Sequence, residues 1–265
     1  MSMNLNRIKG ILIQEFFITL RSFEVISDII IFPGTTLILF GLLATYLAGI
    51  TNITVAYSLL MGMLLWHIIT IVQYSISVGS LWNIWSRNLS NMLITPISLF
   101  EYICAYTFSG ILKAIIMITS SAFLIKIVFH FNIFDLGIAN LGLYTFNLIL
   151  FAISFGMVML GLIFRYGTRI QAFAWGILPI VQPLTSVLYP VSVLPGPLQT
   201  IAYLMPPTYV FEALRANVLN PHIIQWNLFT ISLGENIIYF ALATWFFIAM
   251  FNQSKNLGQF ARLEG

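Results

Sequence analysis

The chain has 265 residues, of which 60% are hydrophobic and only 7% charged, with a formal net charge of +3. A soluble domain carries about 25% charged residues, so this chain cannot cover a water-facing surface and the bilayer must be its main solvent. Its one cysteine, Cys104, excludes an intramolecular disulfide and a CxxC metal site.

The first predicted element lies at 5–23. Leu5, Ile8, Leu12, Phe16, Leu20 and Phe23 recur at steps of three or four and share one helical face, with Arg7, Lys9 and Arg21 elsewhere on the wheel. Such a helix is expected to lie flat at the membrane surface, as a basic interfacial element or a plain anchor. Glu15, Arg21, Glu24 and Asp28 interrupt this region, and the first long apolar run starts near Ile29, so the start does not read as a cleavable signal.

Six spans follow, at about 29–49, 56–79, 103–128, 140–164, 171–189 and 233–251. Each is long enough for a helix across the hydrocarbon core, where helices satisfy their own backbone groups. The expected fold class is therefore an all-α polytopic membrane protein with six transmembrane helices, built as one transmembrane domain over 1–265. With the N-terminus cytoplasmic, Arg7, Lys9, Arg21, Arg87, Arg165, Arg169, Lys255 and Arg262 fall inside and only Lys126 and Arg215 outside. That bias favours an even number of spans with both termini cytoplasmic.

Between the second and third spans the chain reads NIWSRNLSNMLITPIS, residues 83–98. Trp85, Leu89, Met92 and Leu93 fall at i, i+4, i+7 and i+8, against polar Asn83, Arg87, Ser90 and Asn91. This predicts a short amphipathic helix over 84–95, ended by Thr95-Pro96 because proline disfavours helix for its predecessor. Either it lies on lipid or its apolar residues enter a partner.

Beyond the fifth span, residues 188–215 hold five of the ten prolines: Pro190, Pro195, Pro197, Pro206 and Pro207. An apolar run so interrupted cannot be one straight helix. It is expected to enter the outer leaflet as short pieces, broken at Pro195-Gly196-Pro197 and Pro206-Pro207, as a structural lid or as part of an exit gate. Glu212 and Arg215, spaced i, i+3, would meet on a helix. Lys113 is the clear charge within a span, and no acidic partner is evident in the sequence. It would line a path or else snorkel to the interface or pair across a dimer. Glu235 is placed near the outer interface. Trp66, Trp82 and Trp226 are interface anchors or face a substrate.

His67, His130 and His222 lack an HExxH spacing, so no metal site is expected, and GxSxG is absent. There is no GxxxxGK[ST] phosphate loop, so the chain supplies no nucleotide site of its own. Energy must come from a partner or from an ion gradient. A gradient-driven carrier acting alone would need ionisable relay groups, and Lys113 is almost the only one the sequence offers.

Two stretches carry a family resemblance. SRNLSNMLITPISLFEYI, 86–103, resembles the cytoplasmic segment before the third span of the membrane subunit of ABC-2-type ABC exporters. YPVSVLPGPLQTIAYLMPPTYVFEALR, 189–215, resembles the more specific signature of that family, and Phe40-Gly41 after Pro33 also fits. Pro207 departs from the pattern, which often has leucine there, and is expected to shift the local helix break. The resemblance covers the whole length. It implies a permease in the cell inner membrane, paired with a second permease subunit as a homodimer and served by two copies of a cytoplasmic ABC ATPase. It implies no cofactor on this chain, ATP and Mg on that partner, contact with membrane lipids and none with nucleic acid. Trp85, Arg87, Leu89, Met92, Leu93 and Pro96 would form the ATPase-coupling helix. Tyr189, Pro190, Pro195, Gly196, Pro197, Pro206, Pro207, Glu212 and Arg215 would form the outer gate, with Lys113 lining the path. The cargo would be a drug, a lipid or a lipid-linked glycan, moved outward.

Overall fold

The computed structural model describes residues 4–50, 53–221 and 223–258, without the side chains of Ile50, Ser90 and Leu93. Every regular element among the described residues is helical. Helix α1 covers Leu5–Arg21, and the short α2 covers Phe23–Ile26. A wide π-helical turn, Ser27–Ile31, then leads into α3, Phe32–Ile50. Pro33 lies just past that turn. It has no N–H to give and crowds the carbonyl four residues back, so a local widening of the helix accommodates it.

The next helix, α4, is long, Ile53–Trp85, and apolar all round. Such a helix belongs either in a core or in a membrane, and this one is buried along nearly its whole length. It is the axis of the fold, with α3 and four later helices packed around it. Those later elements are α6 (Leu99–Phe129), α7 (Ile138–Tyr166), α8 (Gln171–Val181) and α10 (Pro206–Leu219). The short helices α5 (Leu89–Ile94) and α9 (Gly196–Ala202) sit in the connections, and α11 (Trp226–Asn256) packs on α7 and α10. Large apolar side chains stay exposed along α3, α6 and α11, which suits a hydrocarbon surrounding. Asn147 of α7 accepts from Ser232 and Asn236 of α11, so amide and hydroxyl groups join these helices inside the bundle.

Five stretches are long and apolar enough to cross a membrane: Phe23–Gly49, Ile53–Trp85, Leu99–Phe129, Ile138–Thr185 and Trp226–Asn256. The expected spans at 140–164 and 171–189 fall largely within one of these. They are separated at Gly167, whose φ of 63° and ψ of −142° reverse the chain in a conformation that glycine adopts most readily. From there α8 returns along α4. The Tyr74 hydroxyl donates to the Trp175 carbonyl at 3.1 Å, and the Gln182 amide meets the Met63 sulfur at 3.2 Å. At the end of this return Gly62 lies so close to Val187 that a Cβ would sit 2.6 Å from the Val187 carbonyl oxygen. The helix expected over 171–189 is shorter than its pattern suggests. It ends at Val181 and a 3-10 turn carries the chain to Thr185, because Pro179 and Pro183 remove donors.

Gly62→Ala should lower stability by about 1–3 kcal/mol, because backbone must move to admit the methyl group. Gly142→Ala, with nothing within 4 Å, should leave stability unchanged or slightly raised. Thermal unfolding of the two variants in detergent micelles measures the difference.

Candidate functional site

The connection between α4 and α6 is not the continuous helix 84–95 expected from its pattern. Helix α4 runs on to Trp85, Arg87 adopts a left-handed conformation with φ 53°, and α5 restarts at Leu89. The apolar face also points the other way. Leu89 is fully buried and Met92 nearly so, both within the main core. Trp85 is half-buried, edge-on to Trp82 at 5.2 Å and tilted against Trp175 at 6.1 Å. Leu89 and Met92 therefore root the segment in its own bundle and are not free to enter a partner. The Leu93 side chain lies outside the described residues. Exposed instead are Arg87, Asn91, Ile94, Thr95 and Pro96, with Ile94 83% accessible.

The segment is held firmly at its exit. Ser98 and Glu101 form a reciprocal cap on α6: the Glu101 amide donates to Ser98 Oγ at 3.2 Å, and the Ser98 amide donates to Glu101 Oε2 at 2.8 Å. Glu101 also accepts the Asn4 amide at 2.7 Å and lies 3.5 Å from Arg7, so the same carboxylate ties down the start of α1. Nearby, the Gln14 amide of α1 donates to Asn83 of α4, and Asn83 in turn meets Tyr102 and Tyr106 of α6. Three helices thus meet in one buried polar network beside α5. The S-x-x-E of Ser98–Glu101 was the sequence signal for this cap.

The proline-rich segment is two short helices and a 3-10 turn, Val191–Val193. Its prolines mark starts. Pro197 lies in the first turn of α9, and Pro206 and Pro207 open α10, where a missing N–H costs nothing. Pro190, Pro195 and Gly196 are exposed, and the Tyr189 hydroxyl donates to the Pro183 carbonyl at 2.8 Å. Glu212 and Arg215 do meet, at 2.9 Å. They also reach the preceding strand of loop: the Val191 amide donates to Glu212 at 2.9 Å and Arg215 donates to Ser186 Oγ at 2.8 Å. The pair is a clasp between α10 and residues 186–191.

Lys113 has the acidic partner that the sequence did not reveal. Its Nζ donates to Glu15 Oε2 at 2.8 Å, and Ser109 of α6 bonds the same oxygen at 3.4 Å. Glu15 is 3% exposed, on the buried face of α1 that flanks the apolar stripe. Leu5, Phe16, Leu20 and Phe23 of that stripe are exposed, while Ile11 and Glu15 are buried against the bundle. The pair borders a small cavity of about 40 Å³ that Asp28, Tyr74 and Trp82 also line. Asp28, Ile71 and Tyr74 form a wall shared with a larger cavity of about 460 Å³ between the start of the first apolar stretch, α4 and α8. Glu24, His67 and Trp175 line that larger space. A third cavity, of about 750 Å³, lies between α6 and α7 and includes Lys126.

His67 and His130 lie in different cavities, and no group of three metal-ligating side chains occurs among the described residues. His222 and Arg262 fall outside them.

Residues 7–219 match the model of the family described as ABC-2 type transporter. A comparison with curated proteins finds no match.

Lys113→Met should destabilise the chain by about 3–5 kcal/mol, because it leaves Glu15 buried and unpaired. Adding Glu15→Leu should recover most of that loss, since no charge then remains. A double-mutant cycle on thermal or denaturant stability in detergent reads the coupling. Glu212→Ala should cost about 1.5–3 kcal/mol through the lost charged hydrogen bonds, and should raise protease cleavage within 186–205.

Proposed function

The chain belongs to the ABC-2 type transporter family, and from that membership we propose that it is the permease half of an ATP-driven exporter. A multi-pass membrane permease of an ABC-type transporter is a transport subunit, and the family generally works with an ABC ATPase. In our reading the path lies between two copies of this chain in the cell inner membrane. Two ATPase subunits, carrying ATP and Mg, sit below them. Both termini are cytoplasmic, and α8 with the residues up to 189 makes a sixth crossing. The return of α8 along α4 from Gly167 supports that count. The cargo is amphipathic or hydrophobic and leaves beneath α9 and α10.

One observation carries the proposal: the rooted but outward-facing segment at 86–96. Leu89 and Met92 are locked in the core, while Arg87, Asn91 and Ile94 are exposed. A force applied to this segment has nowhere to dissipate. It passes to α4 through the helix that precedes it, to α6 through the Ser98–Glu101 cap, and to α1 through Glu101 and Asn83. An ATPase that grips the exposed face would thereby move three helices together.

The cluster of Glu15, Asp28, Lys113 and His67 favours a second reading, a gradient-driven carrier that needs no ATPase. Uptake by the purified chain alone in liposomes, under an ion gradient and without ATP, would establish that reading against the first.

Arg87→Glu with Ile94→Asp changes only exposed side chains, so the fold should persist. The variant should lose copurification of the ATPase and lose transport. Unchanged association and transport would remove this segment as the coupling element.

A further inference from the structure

Charges inside a bilayer are costly and are normally balanced. The cavity of about 460 Å³, at the start of the first apolar stretch, gathers acidic groups in excess. Glu24 and Asp28 line it, and neither forms an ion pair among the described residues. Lys113, bound to Glu15 at 2.8 Å, also attracts Asp28 across the small cavity they share, so one ammonium is divided among Glu15, Asp28 and Glu24, while Arg21 sits over the Phe17 ring at 5.7 Å. Glu24 and Asp28 belong to Phe23–Gly49, the first apolar stretch. Three carboxylates thus share one ammonium, and the space carries an excess of acidic groups.

The remaining walls are aromatic. Phe32, Tyr74 and Trp175 line the same cavity. Aromatic faces attract cations electrostatically, and most strongly when water is displaced. A further polar group waits unused: His67 is only 9% exposed, lines the cavity, and its Nε2 has no hydrogen-bond partner. The volume of about 460 Å³ suits a drug-sized molecule.

We infer that this cavity, walled by Glu24, Asp28, Phe32, His67, Tyr74 and Trp175, binds the positively charged group of an amphiphilic organic cation, and that such a cation is the transported cargo. The inference rests on the permease reading and deepens it by naming the charge of the substrate. The carboxylates supply the counter-charge, the rings cover the cation's apolar shell, and His67 takes a polar substituent. A neutral or anionic lipid would leave the acidic excess unbalanced.

Tetraphenylphosphonium and tetraphenylborate test this, because they are near-identical in shape and opposite in charge. Equilibrium binding of each to the full chain in nanodiscs should show saturable binding of the phosphonium alone. Glu24→Gln and Asp28→Asn should each weaken it about tenfold or more, and Lys126→Met, in the separate cavity between α6 and α7, should leave it unchanged. Should a carboxylate variant fail to fold, the isostere pair on the unaltered chain still decides. Equal binding of both ions, or phosphonium binding indifferent to both carboxylates, overturns the inference. The measurement needs no ATPase, so failure of the coupling reading would appear in ATPase association and not here.

Discussion

A carboxylate and an ammonium group held 2.8 Å apart, almost shut off from solvent, decide where α1 lies. Neither Glu15 nor Lys113 tolerates a low-dielectric surrounding alone, so each fixes the other, and with them α1 against α6. Two more ion pairs repeat the device. Arg7–Glu101 holds the start of α1, and Glu212–Arg215 holds residues 186–191 against α10. In a chain with so few charges, these three pairs each bind an accessory element to the bundle. Packing alone is a weak guide there, because lipid is as apolar as the side chains it competes with.

Once α1 is fixed, two further features follow. Its inner face closes the small cavity beside Lys113, and through Asp28 and Tyr74 that cavity shares a wall with the larger one. Its Gln14 also joins the Asn83–Tyr102–Tyr106 network, which lies next to the connection between α4 and α6. The proposed coupling segment and the proposed cargo cavity are thus linked by the same helices. Helix α4 borders both. Helix α8 meets α4 through the Tyr74–Trp175 and Met63–Gln182 contacts and the Trp85–Trp175 ring pair, so a tilt of α4 at its Trp85 end would act on the Tyr74–Trp175 wall of the cavity.

The sequence displayed the helical class, all five long apolar stretches and the positions of the proline-rich breaks, because hydrocarbon length and missing donors are local properties. It did not display direction. Trp85, Leu89 and Met92 were legible as one apolar face, yet the pattern does not say whether that face meets a partner or the chain's own core. The stripe on α1 misled for a related reason. With lipid as solvent, apolar residues mark the outside as readily as the inside, and the buried face is marked by Glu15. The partner of Lys113 lies 98 residues away in sequence, so no spacing rule reaches it. The helix expected over 171–189 was blurred by Pro179 and Pro183, which shorten it to Gln171–Val181.

The central claim is that the outward face of residues 87–96, and not its apolar face, receives force from an ATPase. Photo-cross-linking from single positions in the assembled complex tests it most directly. A photoreactive residue at Ile94 should capture the ATPase, and one at Met92 should capture only this chain. Capture of the ATPase from position 92, or of no ATPase from position 94, would contradict the account.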